Sequence, residues 1–129
     1  MSQIDTPYER IGGETAVRQL VKDFYQIMSD TPQTDLIRKL HPEDIQSSED
    51  KLFMFLSGWL GGPQLYVEKF GHPRLRARHL PFSIGIEERD QWLYCMAQAL
   101  KKQNLDKLFA EQLMGSFAQT ADFMRNRPE

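Results

Sequence analysis

Gly71-His72-Pro73-Arg74-Leu75-Arg76-Ala77-Arg78-His79-Leu80-Pro81-Phe82 cannot continue as one regular helix or strand. Each proline lacks a backbone N–H and blocks the turn before it, and Pro81 also restricts Leu80. Residues 74–78 leave room for one helical turn, so His79 stands at a stiffened helix end. Upstream, Gly61-Gly62-Pro63 closes whatever precedes it. The whole of 63–86 therefore reads as an extended loop around that single turn, and long loops in small chains usually serve a function.

Outside this loop the pattern is helical. Val17, Leu20, Val21, Phe24 and Met28 recur at three- and four-residue steps, predicting a helix over 14–29. Thr15 and the glycines before it mark its start, and Asp30-Thr31-Pro32 its stop. Leu52, Phe55, Leu56 and Trp59 form a second stripe over 48–60, with Ser47-Ser48-Glu49-Asp50 supplying cap-type residues. Trp92, Cys95, Met96, Ala99 and Leu100 mark a third helix over 87–103. Phe109, Leu113, Met114, Phe117, Ala121 and Met124 mark a fourth over 106–125. Gly12-Gly13 breaks what would otherwise be a continuous N-terminal helix, permitting a sharp bend. No run alternates with period two, so the expected fold is all-α.

A length of 129 residues fits one domain, expected over 1–129 with its core over about 7–125. The formal charge is −2, from 16 basic and 18 acidic residues, so neither a nucleic-acid nor a membrane-surface partner is expected. Apolar runs such as Phe53-Met54-Phe55-Leu56 are far too short to cross a bilayer. Met1-Ser2-Gln3-Ile4-Asp5 shows no basic stretch followed by an apolar one, and no secretory signal is expected. Cys95 stands alone, which excludes an internal disulfide and suits a reducing, cytoplasmic setting. Fourteen aromatic residues and six methionines are ample for a core and for a large apolar ligand.

The three histidines, His41, His72 and His79, show no zinc-type spacing, and no nucleophile triad or phosphate-cradling loop accompanies them. Residue patterns alone thus reach an all-α domain with a rigid histidine loop, where a surface or satisfied core histidine is the commoner outcome. The run from Gly71 to Phe82 closely resembles the proximal segment of group II truncated haemoglobins, and so does Gly61-Gly62-Pro63 with Tyr66. Tyr8-Glu9-Arg10-Ile11-Gly12-Gly13 is similar to that family's opening, Phe24-Tyr25 to its distal pair and Trp92 to its indole. The resemblance covers about residues 7–123.

That resemblance implies a shortened globin, a two-over-two helical sandwich holding haem b (iron protoporphyrin IX). His79 would be the axial iron ligand, the globin solution to haem binding. Leu75, Phe82 and Ile84 would line the proximal face, with Phe55 and Met96 as further haem contacts. Arg78 and Lys51 would meet the propionates, with Tyr66, His72 and Arg76 as secondary candidates at that edge. Opposite the iron, Tyr25 and Trp92 would donate hydrogen bonds to a diatomic ligand. Ser48 falls where vertebrate globins carry their distal histidine. Leu52, one turn on, replaces a glutamine found in some relatives, so a third donor is absent. His41 occupies a position more often phenylalanine or tyrosine. It could bond Tyr25 or the ligand, coordinate iron as a sixth ligand, or cap a turn at the rim. If it contacts the ligand, spectra would titrate near pH 6–7, since unperturbed histidine has a pKa of about 6.5.

The function expected from this resemblance is binding of oxygen, carbon monoxide or nitric oxide at ferrous haem, for transport or scavenging. Redox chemistry such as peroxide turnover or nitric oxide oxidation is the alternative, and a cofactor-free helical interaction module is a third. An unidentified reductase would keep the iron ferrous. Group II members are often dimeric, although no residue here decides whether two copies pair.

Overall fold

The structure, a computed structural model, describes residues 6–127. Residues 1–5, read above for a secretory signal, lie outside the described part. Among the described residues every regular element is helical. Helix α1 (Pro7–Ile11) begins with Thr6, whose hydroxyl accepts from Glu9 N–H at 3.2 Å, and with proline at its first position. Gly12 and Gly13 then take φ of 125° and 76°, left-handed values that turn the chain sharply into α2 (Gly13–Asp30). The bend expected from the glycine pair is therefore present. Along α2, Val17, Leu20, Val21 and Phe24 have no exposed surface. Burial of each contributes about 1.5–3 kcal/mol.

After α2 the sequence signalled only a stop. The chain instead makes a 3-10 turn (Pro32–Thr34) and a short helix α3 (Asp35–Lys39). The buried Thr34 hydroxyl sits 2.9 Å from the carbonyls of Met28 and Thr31, so the end of α2 and the turn close on one side chain. Helix α4 (Gln46–Trp59) starts earlier than its serines suggested. Ser47 and Ser48 lie inside it and cap nothing. The carboxylate of Asp44 accepts from Gln46 N–H at 3.1 Å and serves the end instead. The fully buried side of α4 is Phe53, Leu56 and Ser57, with Leu52, Phe55 and Trp59 half-buried beside it.

The stretch read as loop contains two short helices, α5 (Leu65–Phe70) and α6 (Leu75–His79). Helix α5 was not expected; α6 is the single turn anticipated, shifted by one residue so that it includes His79. Two long helices complete the chain, α7 (Ile86–Lys101) and α8 (Lys107–Phe123). The Glu88 carboxylate accepts from Gly85 N–H at 2.8 Å to start α7, and Asp106 accepts from Phe109 N–H at 3.1 Å to start α8.

Helix α2 packs on both α4 and α7, and α8 packs on α7. The pairs α2–α4 and α7–α8 thus form a two-over-two helical sandwich. Trp59 of α4 stacks on Phe117 of α8 with ring centroids 4.6 Å apart, linking the two layers. Cys95 has no exposed surface, and burial pushes its thiol up to about 11. A methyl group added at Gly12 would lie 2.9 Å from Ala16 Cβ in a conformation that L residues avoid. Gly12→Ala should therefore destabilise the protein by about 1–3 kcal/mol in urea unfolding; an unchanged midpoint would show that the bend tolerates a side chain.

Candidate functional site

His79 ends α6 because Leu80-Pro81 cannot extend the helix. Its Nδ1 lies 2.6 Å from the carbonyl oxygen of Leu75, one turn back. A carbonyl only accepts, so Nδ1 carries the proton and donates. The neutral ring then holds its lone pair on Nε2, the arrangement that prepares an imidazole to ligate a metal. Among the described residues, no protein group bonds Nε2.

Apolar surface that a monomeric protein normally hides lies on α5 and on the loop that follows His79. Val67 and Phe70 of α5 are 43% and 39% exposed, and Leu80 and Phe82 after His79 are 56% and 42% exposed. Rings continue inward from Phe70 to Tyr66 at 4.8 Å and from Tyr66 to Phe55 at 6.5 Å. The Lys51 and Lys69 ammonium groups stand 5.9 and 5.5 Å from the Phe70 ring. A free imidazole nitrogen, uncovered apolar side chains and nearby cations suit one kind of partner: a flat apolar group bearing a metal and carboxylates. The residues present fit a haem. Sequence reading missed Val67 and Phe70, whose three-residue spacing in a glycine-bounded stretch was the available signal.

A second group of side chains clusters on α2, α7 and the turn after α3. Tyr25 is buried, and its hydroxyl lies 3.5 Å from the Ser48 carbonyl, at the limit of a hydrogen bond. Burial, aided by the charge of Glu49, raises this phenol above its ordinary value of 10.0, so it keeps its proton at neutral pH. Phe24 packs edge-on against both Tyr25, at 4.9 Å, and Trp92, at 5.1 Å. The half-buried Trp92 indole N–H has no acceptor among the described residues. The His41 ring lies 5.6 Å from that of Tyr25, and its Nδ1 donates to the Ile37 carbonyl at 2.8 Å. His41 therefore repeats the arrangement of His79, bonding a carbonyl four residues back. Burial lowers its pKa; the charges of Arg38 and His79 act in the same direction and the Ile37 bond opposes them.

The other sequence candidates spread around these two clusters. Leu52, Phe55 and Leu75 are half-buried, Ile84 is buried, and Met96 lies wholly inside the core beside Cys95. Arg78 is exposed, and its Nε donates to the Pro73 carbonyl at 2.8 Å. Arg76 turns elsewhere: one of its terminal nitrogens donates to the carbonyls of Phe123 and Arg125 at 2.7 and 2.9 Å, so it binds the end of α8. His72 is exposed, and its Nδ1 accepts from Arg74 N–H at 3.0 Å. The backbone of Arg74 is left-handed, with φ 49°.

Two layers of paired helices, with an imidazole on a short helix between α4 and α7 in the chain, define a shortened globin. The chain matches the bacterial-like globin family over residues 6–126. It is 42% identical over 125 residues to group 2 truncated hemoglobin YjbI of Bacillus subtilis, covering 97% of this chain and 92% of the relative. The group II 2-on-2 hemoglobin of Agrobacterium tumefaciens superposes with a TM-score of 0.93 at 41% identity, covering 97% of each chain. The truncated oxygen-avid haemoglobin of Bacillus subtilis superposes at 0.84 with 43% identity, covering 94% of this chain and 99% of that one. The chain belongs to the bacterial-like globin family, as a group II truncated haemoglobin.

Burial holds the His41 pKa below the ordinary histidine value. Because the folded protein binds this proton less readily than the unfolded chain, stability is full above about pH 6.5 and falls as pH drops towards the folded value. In haem-free protein, His41→Phe should flatten that acid-side loss in urea melts between pH 7.5 and 5. An unchanged slope would remove His41 as its source.

Proposed function

We propose that this globin holds haem b on the Nε2 of His79 and binds oxygen for retention or scavenging rather than rapid delivery. The observation that carries the reading is the 2.6 Å bond from His79 Nδ1 to the Leu75 carbonyl, which leaves Nε2 available beside exposed Phe82 and Leu80. When bound, haem supplies a ferrous iron that takes oxygen, carbon monoxide or nitric oxide. Apolar contact with the ring falls to Leu75, Phe82, Ile84, Phe55 and Leu52, and the cations Lys51 and Arg78 suit its propionates.

Tyr25 and Trp92 are the donors on the ligand side. The phenol keeps its proton because burial disfavours the phenolate, and its long contact with Ser48 leaves it free to reorient. Phe24 holds both donor rings in place through edge contacts. His41 offers a third polar group: with Nδ1 donating to Ile37, its Nε2 accepts, and it can take the Tyr25 hydroxyl proton in a hydrogen bond. A hydrogen bond to a partly charged ligand contributes about 1.5–3 kcal/mol. Two donors therefore slow release by about a hundredfold or more. The oxygen-avid relative from Bacillus subtilis supports retention. A reductase that returns the iron to the ferrous state completes this reading.

His79→Ala should abolish stable haem retention, read from the Soret band after gel filtration; an unaltered band with an intact axial-histidine signature would refute the assignment. Trp92→Phe should speed oxygen release by about tenfold in stopped-flow displacement. An unaltered rate would take the indole out of the mechanism.

A further inference from the structure

The segment from Leu80 to Gly85 belongs to no helix and carries exposed apolar side chains, yet it follows directly from His79. A loop of this kind fixes nothing unless something fixes it. Two neighbouring side chains from the far end of the sequence do: Arg127 Nε donates to the Ser83 hydroxyl at 3.0 Å, and Asn126 makes the larger set of bonds. The Asn126 side-chain carbonyl accepts from Ile84 N–H at 2.9 Å. Its amide nitrogen donates to the carbonyls of Phe82, at 2.7 Å, and His79, at 3.3 Å. Its backbone N–H donates to the Ile84 carbonyl at 2.8 Å. Both halves of the amide are used, much as a neighbouring strand would use a peptide group. The His79 carbonyl also accepts from Phe82 N–H at 3.0 Å, so the amide adds a second bond there and the main side-chain bond to the Phe82 carbonyl.

The base of this clamp is itself held. The Asp122 carboxylate accepts from Arg89 of α7 at 2.6 Å and from Arg125 at 3.1 Å. Arg76 on α6, three residues before His79, bonds the carbonyls of Phe123 and Arg125. Helix α6, the loop after it and the end of α8 therefore form one braced unit, with His79 at its centre.

We propose that Asn126 is a positioning residue for His79, setting the direction and rigidity of the imidazole through the backbone of residues 79–84. The role rests on His79 being the axial ligand. Only an amide fulfils it: aspartate keeps the acceptor for Ile84 but turns a second oxygen on the Phe82 carbonyl, and alanine supplies neither group.

The test uses the full chain as wild type, Asn126→Ala and Asn126→Asp. In haem-free protein, Asn126→Ala should speed hydrogen exchange at the Ile84 amide by about tenfold or more, whereas Asn126→Asp, which keeps that acceptor, should speed it less. In haem-loaded protein, both should shift or broaden the iron–histidine stretching band in resonance Raman. They should also speed haem transfer to an excess of apomyoglobin by about tenfold. Unchanged exchange at Ile84 in Asn126→Ala would overturn the clamp. Faster exchange with a wild-type stretching band and wild-type haem loss would overturn the positioning role, leaving the clamp merely structural. Wild-type protein that takes up no haem would overturn the functional reading and this role with it. Wild type that binds haem normally, with variants indistinguishable from it, overturns this role alone.

Discussion

Phe24 is the constraint on which the arrangement depends. It has no exposed surface and lies on α2, which packs against both α4 and α7. A side chain so placed cannot move without shifting two helix interfaces, because protein interiors are close-packed. The rings of Tyr25 and Trp92 lean on it from two helices. The same packing that gives the sandwich its core thus sets the spacing between two hydrogen-bond donors. Loss of this ring would open a cavity at the centre and release both donors together, so stability and ligand chemistry are coupled at one position.

His79 is organised on a different principle. Its helix is five residues long and none of them is buried, so packing contributes little. Polar bonds replace it: Leu75 orients the ring, and Arg76 and the chain after α8 hold the flanking backbone. Apolar side chains remain open to solvent beside it. Covering them would add burial that the protein alone lacks, which ties the final stability of this side of the molecule to what binds there.

Legibility in the sequence follows the range of each interaction. The α2 stripe of Val17, Leu20, Val21, Phe24 and Met28 was readable because five buried residues repeat over several turns. Helices α3 and α5 were not, since five or six residues hold too few turns for a period to emerge. Ser47 and Ser48 misled because cap-type residues are also tolerated inside a first turn. Of the site, Pro81 announced a stiff end at His79, but only resemblance to a family gave the imidazole its task. The bonds of Arg76, read only as a candidate for the propionate edge, and of Asn126, not singled out at all, were not legible: their partners lie more than forty residues away, and nothing local distinguishes them from solvated polar groups.

The single sulfhydryl has a practical consequence. Attack on sulfur by oxidants or alkylating reagents requires access and a thiolate, and Cys95 in the closed core supplies neither. Its modification has to wait for the helices to separate, so the rate at which a thiol reagent captures it counts how often the sandwich opens. The molecule carries its own built-in gauge of breathing, with no second cysteine to confuse the reading.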